Sequence, residues 1–368
     1  MTNKDQKHLV IAAAGTGGHV MPGLAVAREM VRRGWRISWI GTEKGMESRL
    51  VAKDGIDFTA LDFQGVRGKG ALGMVSGAWK LFCSSRRCKQ LMKTMNPDVV
   101  FTTGGYVAVP VCYGAQKTGK KIVLMNCDAD LLMSSEMILR KAWGVACGFA
   151  GSARSAAGGK GVITGNPVRS EIAAVEAPDV RLKGREGRLK LLVFGGSLGA
   201  RVLNETLPKA LALFDPAVRP EVVHQCGANS VETVQRLYQD AGVQAQVVGF
   251  IDDMAAAYRE SDIVVCRAGA TSVAEICAAG VAAILVPFVA KTTAHQMGNA
   301  RYMDEHQAGI LMDQKQLTAE HLFGVLASLK RDRILKIAQN ARALSRTDAV
   351  ASVADMIERV DAMDRMPA

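Results

Sequence analysis

Gly15-Thr16-Gly17-Gly18-His19 places a titratable ring beside a glycine-rich turn near the start of the chain. The turn follows the apolar run 9–14, which predicts a strand, and precedes a segment with helical periodicity. Glycines let backbone N–H groups approach an anion at such a turn, and a helix start carries roughly half a positive charge. That charge disfavours protonation of His19, so the imidazole is available as a base. Because open α/β sheets bind ligands at the carboxyl ends of their strands, we expect a catalytic rather than a structural role for His19.

A second turn of this kind lies in the C-terminal half of the chain. Residues 263–266 predict a strand, residues 267–270 a turn, and Thr271-Ser272 the start of a helix. A diphosphate over this helix start would meet free N–H groups and two hydroxyls, and Glu275 would accept hydrogen bonds from ribose hydroxyls. The spacing fits equally well with a capping box in which Glu275 pairs with Ser272 and no ligand is bound.

The segment 63–97 is basic and contains no acidic residue, and Val75, Trp79 and Phe82 recur in it at helical spacing. Basic side chains beside a Trp/Phe face suit an anionic membrane surface, where charge attraction and shallow apolar insertion add. A solvated basic helix with an ordinary buried face is the alternative. RNA binding is disfavoured because the segment lacks the repeated aromatic residues of a stacking platform. The basic residues are Arg67, Lys69, Lys80, Arg86, Arg87, Lys89 and Lys93.

Short apolar runs alternate with helix-period segments along most of the chain, which predicts parallel βα units. The strands are expected at 9–14, 35–40, 99–102, 121–125, 145–149, 191–194, 222–226, 246–248, 263–266 and 282–286.

The alternation pauses at Gly165-Asn166-Pro167-Val168-Arg169, and a new series then opens with its own glycine turn, Gly195-Gly196-Ser197-Leu198-Gly199. We therefore expect an α/β protein with two doubly wound, Rossmann-like domains that face a cleft. The expected bounds are 1–168 and 169–345, and 346–368 form a C-terminal helix that can pack back on the first domain.

Length and composition agree with two domains and an intracellular protein. The 368 residues exceed the roughly 250–300 at which single cores stop growing. The first residues lack the basic-then-apolar pattern of a secretory signal, so we expect no export. The longest apolar run, 276–290, is too short to span a bilayer. The eight cysteines show no C-x-x-C pair or zinc spacing, so we expect small buried side chains in a reducing cytoplasm.

The net charge of +11 indicates an anionic partner. A nicotinamide dinucleotide is disfavoured, because Val20 stands where the first turn would need its third glycine. Glu43 also comes too late after the second strand to bind a ribose.

Together these segments resemble the MurG-type N-acetylglucosaminyltransferases of glycosyltransferase family 28, which have the GT-B fold of two Rossmann-like domains. The resemblance covers essentially the whole chain, and the order of the motifs carries it more than any single motif does. The motifs are Gly15-Thr16-Gly17-Gly18-His19 with Pro22-Gly23, Arg67-Gly68-Lys69-Gly70, Gly104-Gly105-Tyr106, Gly165-Asn166-Pro167-Val168-Arg169, Gly195-Gly196-Ser197-Leu198-Gly199-Ala200, Phe250-Ile251-Asp252-Asp253-Met254, residues 267–275, His295-Gln296 and Asn299-Ala300.

The resemblance implies that the second domain binds UDP-GlcNAc and that the first binds the acceptor. It implies no metal and no cofactor, because a helix start and Arg169 neutralise the leaving UDP. The implied donor contacts are Thr16, Gly17, Gly18, Arg169, Ser197, Ile251, Ala270, Thr271, Ser272, Val273, Ala274, Glu275 and Gln296, with His19 as the catalytic residue and Tyr106 on the acceptor side.

The reaction that the resemblance implies is an inverting transfer of N-acetylglucosamine to the 4-hydroxyl of MurNAc in undecaprenyl-linked lipid I, which gives lipid II for peptidoglycan. His19, directly or through a relay, would remove the hydroxyl proton. The implied partners are UDP-GlcNAc, lipid I, an anionic membrane surface and other cell-wall synthesis proteins, with no nucleic acid. The implied location is peripheral, at the cytoplasmic face of the cell (inner) membrane.

The acceptor side departs from the family pattern. Met125-Asn126-Cys127-Asp128 stands where the family has His-Glu-Gln-Asn, and Val109-Pro110-Val111 where it prefers glycines. Two other functions remain open. A UDP-GlcNAc 2-epimerase shares the architecture and the donor but has no use for the basic aromatic segment. A weakly active, membrane-docked scaffold that binds UDP-GlcNAc is favoured by the missing His-Glu pair and disfavoured by His19.

Overall fold

The computed structural model describes residues 6–15, 17–43, 45–63, 70–196, 198–288 and 295–364, with the side chains of 70–78 left out. The chain divides into two compact units, one of residues 1–167 with 347–368 and the other of residues 168–346. Both units are built from parallel strands and covering helices, which confirms the predicted class of two Rossmann-like α/β domains.

In the first unit strands and helices alternate from the start of the chain. The strands are β1 (His8–Ala12), β2 (Arg36–Gly41), β3 (Asp57–Ala60), β4 (Val99–Thr102), β5 (Lys121–Asn126), β6 (Gly144–Cys147) and β7 (Gly161–Ile163). The helices are α1 (Gly17–Arg32), α2 (Met46–Lys53), α3 (Gly70–Met95), α4 (Ala108–Lys117), α5 (Met133–Leu139) and α6 (Ser152–Ala157).

The strands of the first unit form a parallel sheet with the order β3-β2-β1-β4-β5-β6-β7 within the described residues. All residues of β1 and β4 are buried, because helices cover both faces of the sheet. The connection from β1 leads to one side of the sheet and the connection from β4 to the other. Their carboxyl ends therefore meet at a topological switch point, the place where such sheets bind ligands.

The second unit repeats this architecture. Its strands are β8 (Lys190–Phe194), β9 (Glu221–Gln225), β10 (Gln246–Val248), β11 (Ile263–Cys266), β12 (Ala282–Leu285) and β13 (Ile310–Leu311), in the order β10-β9-β8-β11-β12-β13. Its helices are α7 (Ser170–Ala173), α8 (Pro178–Arg181), α9 (Arg201–Ala212), α10 (Val231–Asp240), α11 (Met254–Glu260), α12 (Ala270–Ala279), α13 (His295–Glu305), α14 (Ala319–Ser328) and α15 (Arg331–Ala343). Here the switch point lies between β8 and β11.

The last helix, α16 (Ala349–Asp361), packs on the first unit, as predicted. Val353, Ile357 and Val360 are buried, and Arg33, directly after α1, donates hydrogen bonds to Asp355 at 2.7 Å and to Glu358 at 2.6 Å. The amphipathic face seen in the sequence therefore covers the strands of the first sheet.

None of the helices in the described part of the chain is both long and apolar enough to cross a membrane. Seven of the eight cysteines are buried, as expected, and burial raises the pKa of Cys147 to about 11. The prediction was wrong for Cys83, which lies on the exposed side of α3.

Candidate active site

His19 lies in the first turn of α1, beside the carboxyl end of β4. Its Nδ1 is 2.9 Å from the carbonyl oxygen of Thr103, and the Thr103 hydroxyl donates to the carbonyl of His19 at 2.8 Å. Because a carbonyl oxygen only accepts, Nδ1 carries the proton in the neutral ring and Nε2 carries the lone pair. The two neighbouring strand ends thus hold the ring in the tautomer that a general base requires.

The β4–α4 connection approaches this ring through two glycines with positive φ. Gly104 and Gly105 have φ of 93° and 84°, and a Cβ on Gly105 would lie 3.2 Å from the carbonyl oxygen of Ala14 and 3.5 Å from His19 Cδ2. A side chain at either position would be strained and would crowd the imidazole. Tyr106 follows directly, and its Cε1 would be 3.4 Å from a Cβ on Gly15. The structure therefore brings His19 and Tyr106, both predicted site residues, to one switch point.

The start of α12, directly after β11, lies at the switch point of the second unit. Its N-cap is Gly269, which offers no side-chain acceptor to the helix N–H groups. The hydroxyl oxygen of Thr271 is buried and has no hydrogen-bond partner within the described residues. A buried, unsatisfied hydroxyl costs free energy, so its presence at a helix start favours a ligand there.

Glu275 does not form a capping box with Ser272, so that alternative was wrong. Its Oε1 instead accepts from Nε and Nη2 of Arg169 at 3.2 and 3.0 Å, and its Oε2 accepts from the hydroxyl of Tyr258 at 3.4 Å. Glu275 is 7% exposed, and burial raises its pKa while the Arg169 guanidinium opposes this shift. Arg169 is partly exposed and keeps donors for a further anion.

Gln296 lies in the first turn of α13, where its Oε1 accepts from the backbone N–H of Phe288 at 2.9 Å. One helical turn later, Asn299 donates to the carbonyl of Ala268 at 3.0 Å. This bond ties α13 to the turn that precedes α12. Arg267 in that turn lies over the ring of Phe288, 5.2 Å from its centroid. Gln296 and the α12 start are therefore parts of one connected region of the second unit.

Family models match both units of the chain. The N-terminal domain model of glycosyltransferase family 28 matches residues 9–144, and the C-terminal domain model of the same family matches residues 190–360. The chain belongs to glycosyltransferase family 28.

Relatives within family 28 match the chain over nearly its full length. A curated UDP-N-acetylglucosamine--N-acetylmuramyl-(pentapeptide) pyrophosphoryl-undecaprenol N-acetylglucosamine transferase from Methylibium petroleiphilum is 49% identical over 96% of this chain and 98% of its own. The crystal structure of MurG from Acinetobacter baumannii matches with a TM-score of 0.83 at 34% identity, over 96% of this chain and 99% of the other.

A putative UDP-N-acetylglucosamine 2-epimerase from Listeria monocytogenes matches with a TM-score of 0.67 over 98% of both chains. Its identity to this chain is only 15%. That similarity shows the shared architecture alone, so the comparisons do not favour the epimerase alternative over family 28.

Some of the remaining predicted site residues lie among the described residues and others do not. Gly17 and Gly18 are the first residues of α1 and are half-buried, and Ile251 is half-buried in the β10–α11 connection. The apolar positions Ala270, Val273 and Ala274 are buried along α12. Thr16, Ser197, Arg67 and Lys69 lie outside the described residues.

Two residues in these regions were not predicted from the sequence. Tyr258 is fully buried and donates to Glu275, and Glu47 is fully buried beside the first glycine turn. Tyr258 has the pattern of an ordinary core aromatic residue, and Glu47 follows β2 with no motif around it. Only tertiary packing shows that Tyr258 contacts Glu275 and that Glu47 contacts the first glycine turn.

Outside the two switch points, α3 exposes an aromatic and basic face. Trp79 is 67% exposed and Phe82 54% exposed, with ring centroids 6.0 Å apart. Arg86, one turn beyond Phe82, is exposed on the same face. The buried face consists instead of Ser84, Ser85, Cys88 and Met92. Trp79 and Phe82 are therefore not part of this buried face. The membrane contact and the alternative of a solvated basic helix with an ordinary buried face both stay predictions.

Proposed function

We propose that this family-28 chain transfers N-acetylglucosamine from UDP-GlcNAc to the 4-hydroxyl of MurNAc in undecaprenyl-linked lipid I, which forms lipid II. The observation that carries this proposal is the 49% identity over 96% of the chain to a transferase of that name. The geometry at the two switch points supports it. The second unit offers an anion site with a buried carboxylate, and the first offers a base.

The donor diphosphate binds at the start of α12 in this proposal. The helix N–H groups and the hydroxyl of Thr271 donate to the phosphate oxygens, and Arg169 supplies a full positive charge. Glu275 keeps one oxygen on Arg169 and accepts from the ribose hydroxyls. Ser197 contributes to the phosphate site, Ile251 contacts the uracil, and Gln296 contacts the sugar.

The chemical step is a single displacement at the anomeric carbon. The acceptor 4-oxygen forms a bond to C1 of the sugar while the bond from C1 to the diphosphate oxygen breaks. The hydroxyl proton passes to Nε2 of His19, whose Nδ1–H is held by the Thr103 carbonyl. A positioned base contributes roughly a hundredfold to ten-thousandfold in rate. Positive charge at the α12 start and at Arg169 stabilises the departing UDP.

The acceptor is a lipid, and the exposed face of α3 supplies a membrane contact for it. Trp79 and Phe82 insert at the interface, and the exposed basic residues around them attract anionic headgroups. The protein thereby binds peripherally at the cytoplasmic face of the membrane. Tyr106 lies on the acceptor side of His19.

Transfer of labelled N-acetylglucosamine from UDP-GlcNAc to a lipid I analogue in detergent tests the reaction directly. The wild-type chain should produce labelled lipid II, and UDP should compete with the donor. A chain that binds UDP-GlcNAc normally but transfers no label would support the scaffold alternative. Conversion of UDP-GlcNAc to UDP-N-acetylmannosamine without any acceptor would support the epimerase.

Sedimentation with phosphatidylglycerol vesicles tests the membrane contact. The double variant Arg86→Glu/Arg87→Glu should bind more weakly than the wild type, since each basic residue near the surface contributes about 1 kcal/mol. Added salt should reduce the binding of the wild type and reduce the difference between the two proteins.

A matched control reverses two exposed basic residues on α15, a helix that contains no aromatic residue: Arg333→Glu/Lys336→Glu. This control should sediment like the wild type. Equal losses in both double variants would show an effect of net charge alone, and the α3 face would then have no special role.

A further inference from the structure

Glu47 joins the ends of two neighbouring strands in the first unit. Its side chain is 0% exposed. Oε1 accepts from the N–H of Thr42 at 2.9 Å and from its hydroxyl at 2.7 Å, and Oε2 lies 3.4 Å from the nitrogen of Gly15. Thr42 directly follows β2, and Gly15 opens the turn that leads from β1 to His19. One carboxylate therefore connects that turn to the adjacent strand end.

Two glycines make room for this carboxylate. A Cβ on Gly45 would lie 2.1 Å from Oε2 of Glu47, and a Cβ on Gly41 would lie 2.8 Å from its Cγ. Gly45 has φ of −78° and ψ of 160°, which any residue adopts, so its backbone conformation does not require glycine. The absence of a side chain at Gly45 therefore serves the position of the Glu47 carboxylate.

The bonds of Glu47 in the described part of the chain come from neutral donors, and none of the described Lys or Arg nitrogens forms an ion pair with it. Burial of a carboxylate is costly unless hydrogen bonds compensate. Here the donors are the backbone and hydroxyl of Thr42 and the backbone of Gly15. A charge held in this way fixes the geometry of those donors in return.

The fixed turn is the one that carries the proposed base. Gly15 has φ of 102°, and a Cβ built on it would lie 3.4 Å from Cε1 of Tyr106. Glu47 is enclosed and cannot meet a substrate, so it acts through the turn. We propose that Glu47 is a positioning residue that holds the Gly15–His19 turn, and with it the His19 imidazole, in place for the transfer reaction. This inference rests on the proposed function.

Glu47→Gln in the full-length chain is the first test. The amide oxygen still accepts from Thr42, but the amide nitrogen then faces the N–H of Gly15, a donor against a donor. The kcat for transfer to the lipid acceptor should fall roughly 10- to 100-fold, the cost expected when a catalytic group is displaced by about 1 Å. The dissociation constant for UDP, measured by calorimetry, should stay at the wild-type value because the α12 start is unchanged.

Gly45→Ala is the second test, and it leaves Glu47 itself intact. The added methyl group forces the carboxylate from its position without backbone strain. We expect the same pattern, a lower kcat with normal UDP binding. Glu43→Gln is the matched control, since it removes the same charge from an exposed side chain four residues earlier, and its kcat should equal that of the wild type.

Three results would overturn the inference. One is a wild-type kcat in both Glu47→Gln and Gly45→Ala. Another is an equal loss in Glu43→Gln, which would point to charge alone. The third is a joint loss of kcat, UDP binding and thermal stability, which would show a structural role only. If the wild type itself transfers no sugar, the proposed function fails instead.

Discussion

Each unit has a strand-to-helix turn at the switch point of its sheet, after β1 in the first unit and after β11 in the second, and the polar groups of the two turns have different partners. In the first unit, the nitrogen of Gly15 faces the buried carboxylate of Glu47 at 3.4 Å. In the second unit, the cap residue Gly269 has no side-chain acceptor, and the Thr271 hydroxyl has no partner among the described residues. The Gly15 amide of the first turn thus has a partner within the fold, whereas the Thr271 hydroxyl of the second has none among the described residues.

Because of this difference, turns in the same architecture can have two different roles. A helix start whose donors are unsatisfied attracts an external anion such as a diphosphate. A turn whose amide already faces a carboxylate repels a second anion at that place and is held rigid instead. In the proposed function, the first unit accordingly supplies the base and the second the phosphate site.

Among the variants that test this comparison, replacement of His19, the proposed base, should have the largest effect. His19→Ala should lower kcat by roughly a hundredfold to ten-thousandfold, while UDP binding should not change. His321→Ala is a matched control, because His321 also lies in the first turn of a helix with Nδ1 bonded to a carbonyl, that of Gln316. If His19→Ala weakened UDP binding as much as it weakened turnover, the separation of roles between the two turns would be wrong.

Thr271→Val should weaken UDP binding about tenfold, the value of a hydrogen bond to a charged group. It should not lower the thermal midpoint without ligand, because the hydroxyl that it removes is buried and unsatisfied. Thr318→Val gives the opposite pattern as a control, since the Thr318 hydroxyl accepts from the N–H of His321 and caps α14. It should cost about 1 kcal/mol of stability and leave UDP binding intact. A lower thermal midpoint in Thr271→Val would show that its hydroxyl is satisfied within the protein.

The smallest expected effect is on the pH dependence of stability in the second unit. Burial raises the pKa of Glu275 in the folded state, so the folded protein holds this proton more tightly than the unfolded chain does. As the pH rises through that raised pKa, the contribution to the free energy of unfolding is lost. As the pH rises from 4 to 7, the thermal midpoint of Glu275→Gln should therefore rise relative to that of the wild type. Glu260 lies at the exposed end of α11, and Glu260→Gln should show no such trend. An equal trend in both variants would show that burial of Glu275 is not its cause.

Most of the strands could be predicted from the sequence alone. Each of the ten predicted strands overlaps an observed one, and the central ones are buried apolar runs such as β1 and β4. The missed strands β3, β7 and β13 are edge strands of their sheets. Their residues are only partly buried, so they lack the continuous apolar run on which the prediction depends.

Among the site residues, the sequence indicated His19 and Glu275 because each follows a strand at a glycine-containing turn. Spacing could not decide whether Glu275 caps its own helix or binds elsewhere. The structure pairs it with Arg169, 106 residues away, and long-range pairing leaves no local signal. The domain bounds and the ligand contacts of individual residues remain predictions.

The sequence by itself determined that there are two parallel α/β units, that each has a glycine turn at a strand end, and which family they belong to. These features are local, because hydrophobic period and glycine position act over a few residues. Only the tertiary structure decided which partners the polar groups of the two turns have. The carboxylate of Glu47, in the first turn of α2, contacts the backbone nitrogen of Gly15, and Arg169 contacts Glu275. These groups are far apart in the chain and become adjacent only after folding.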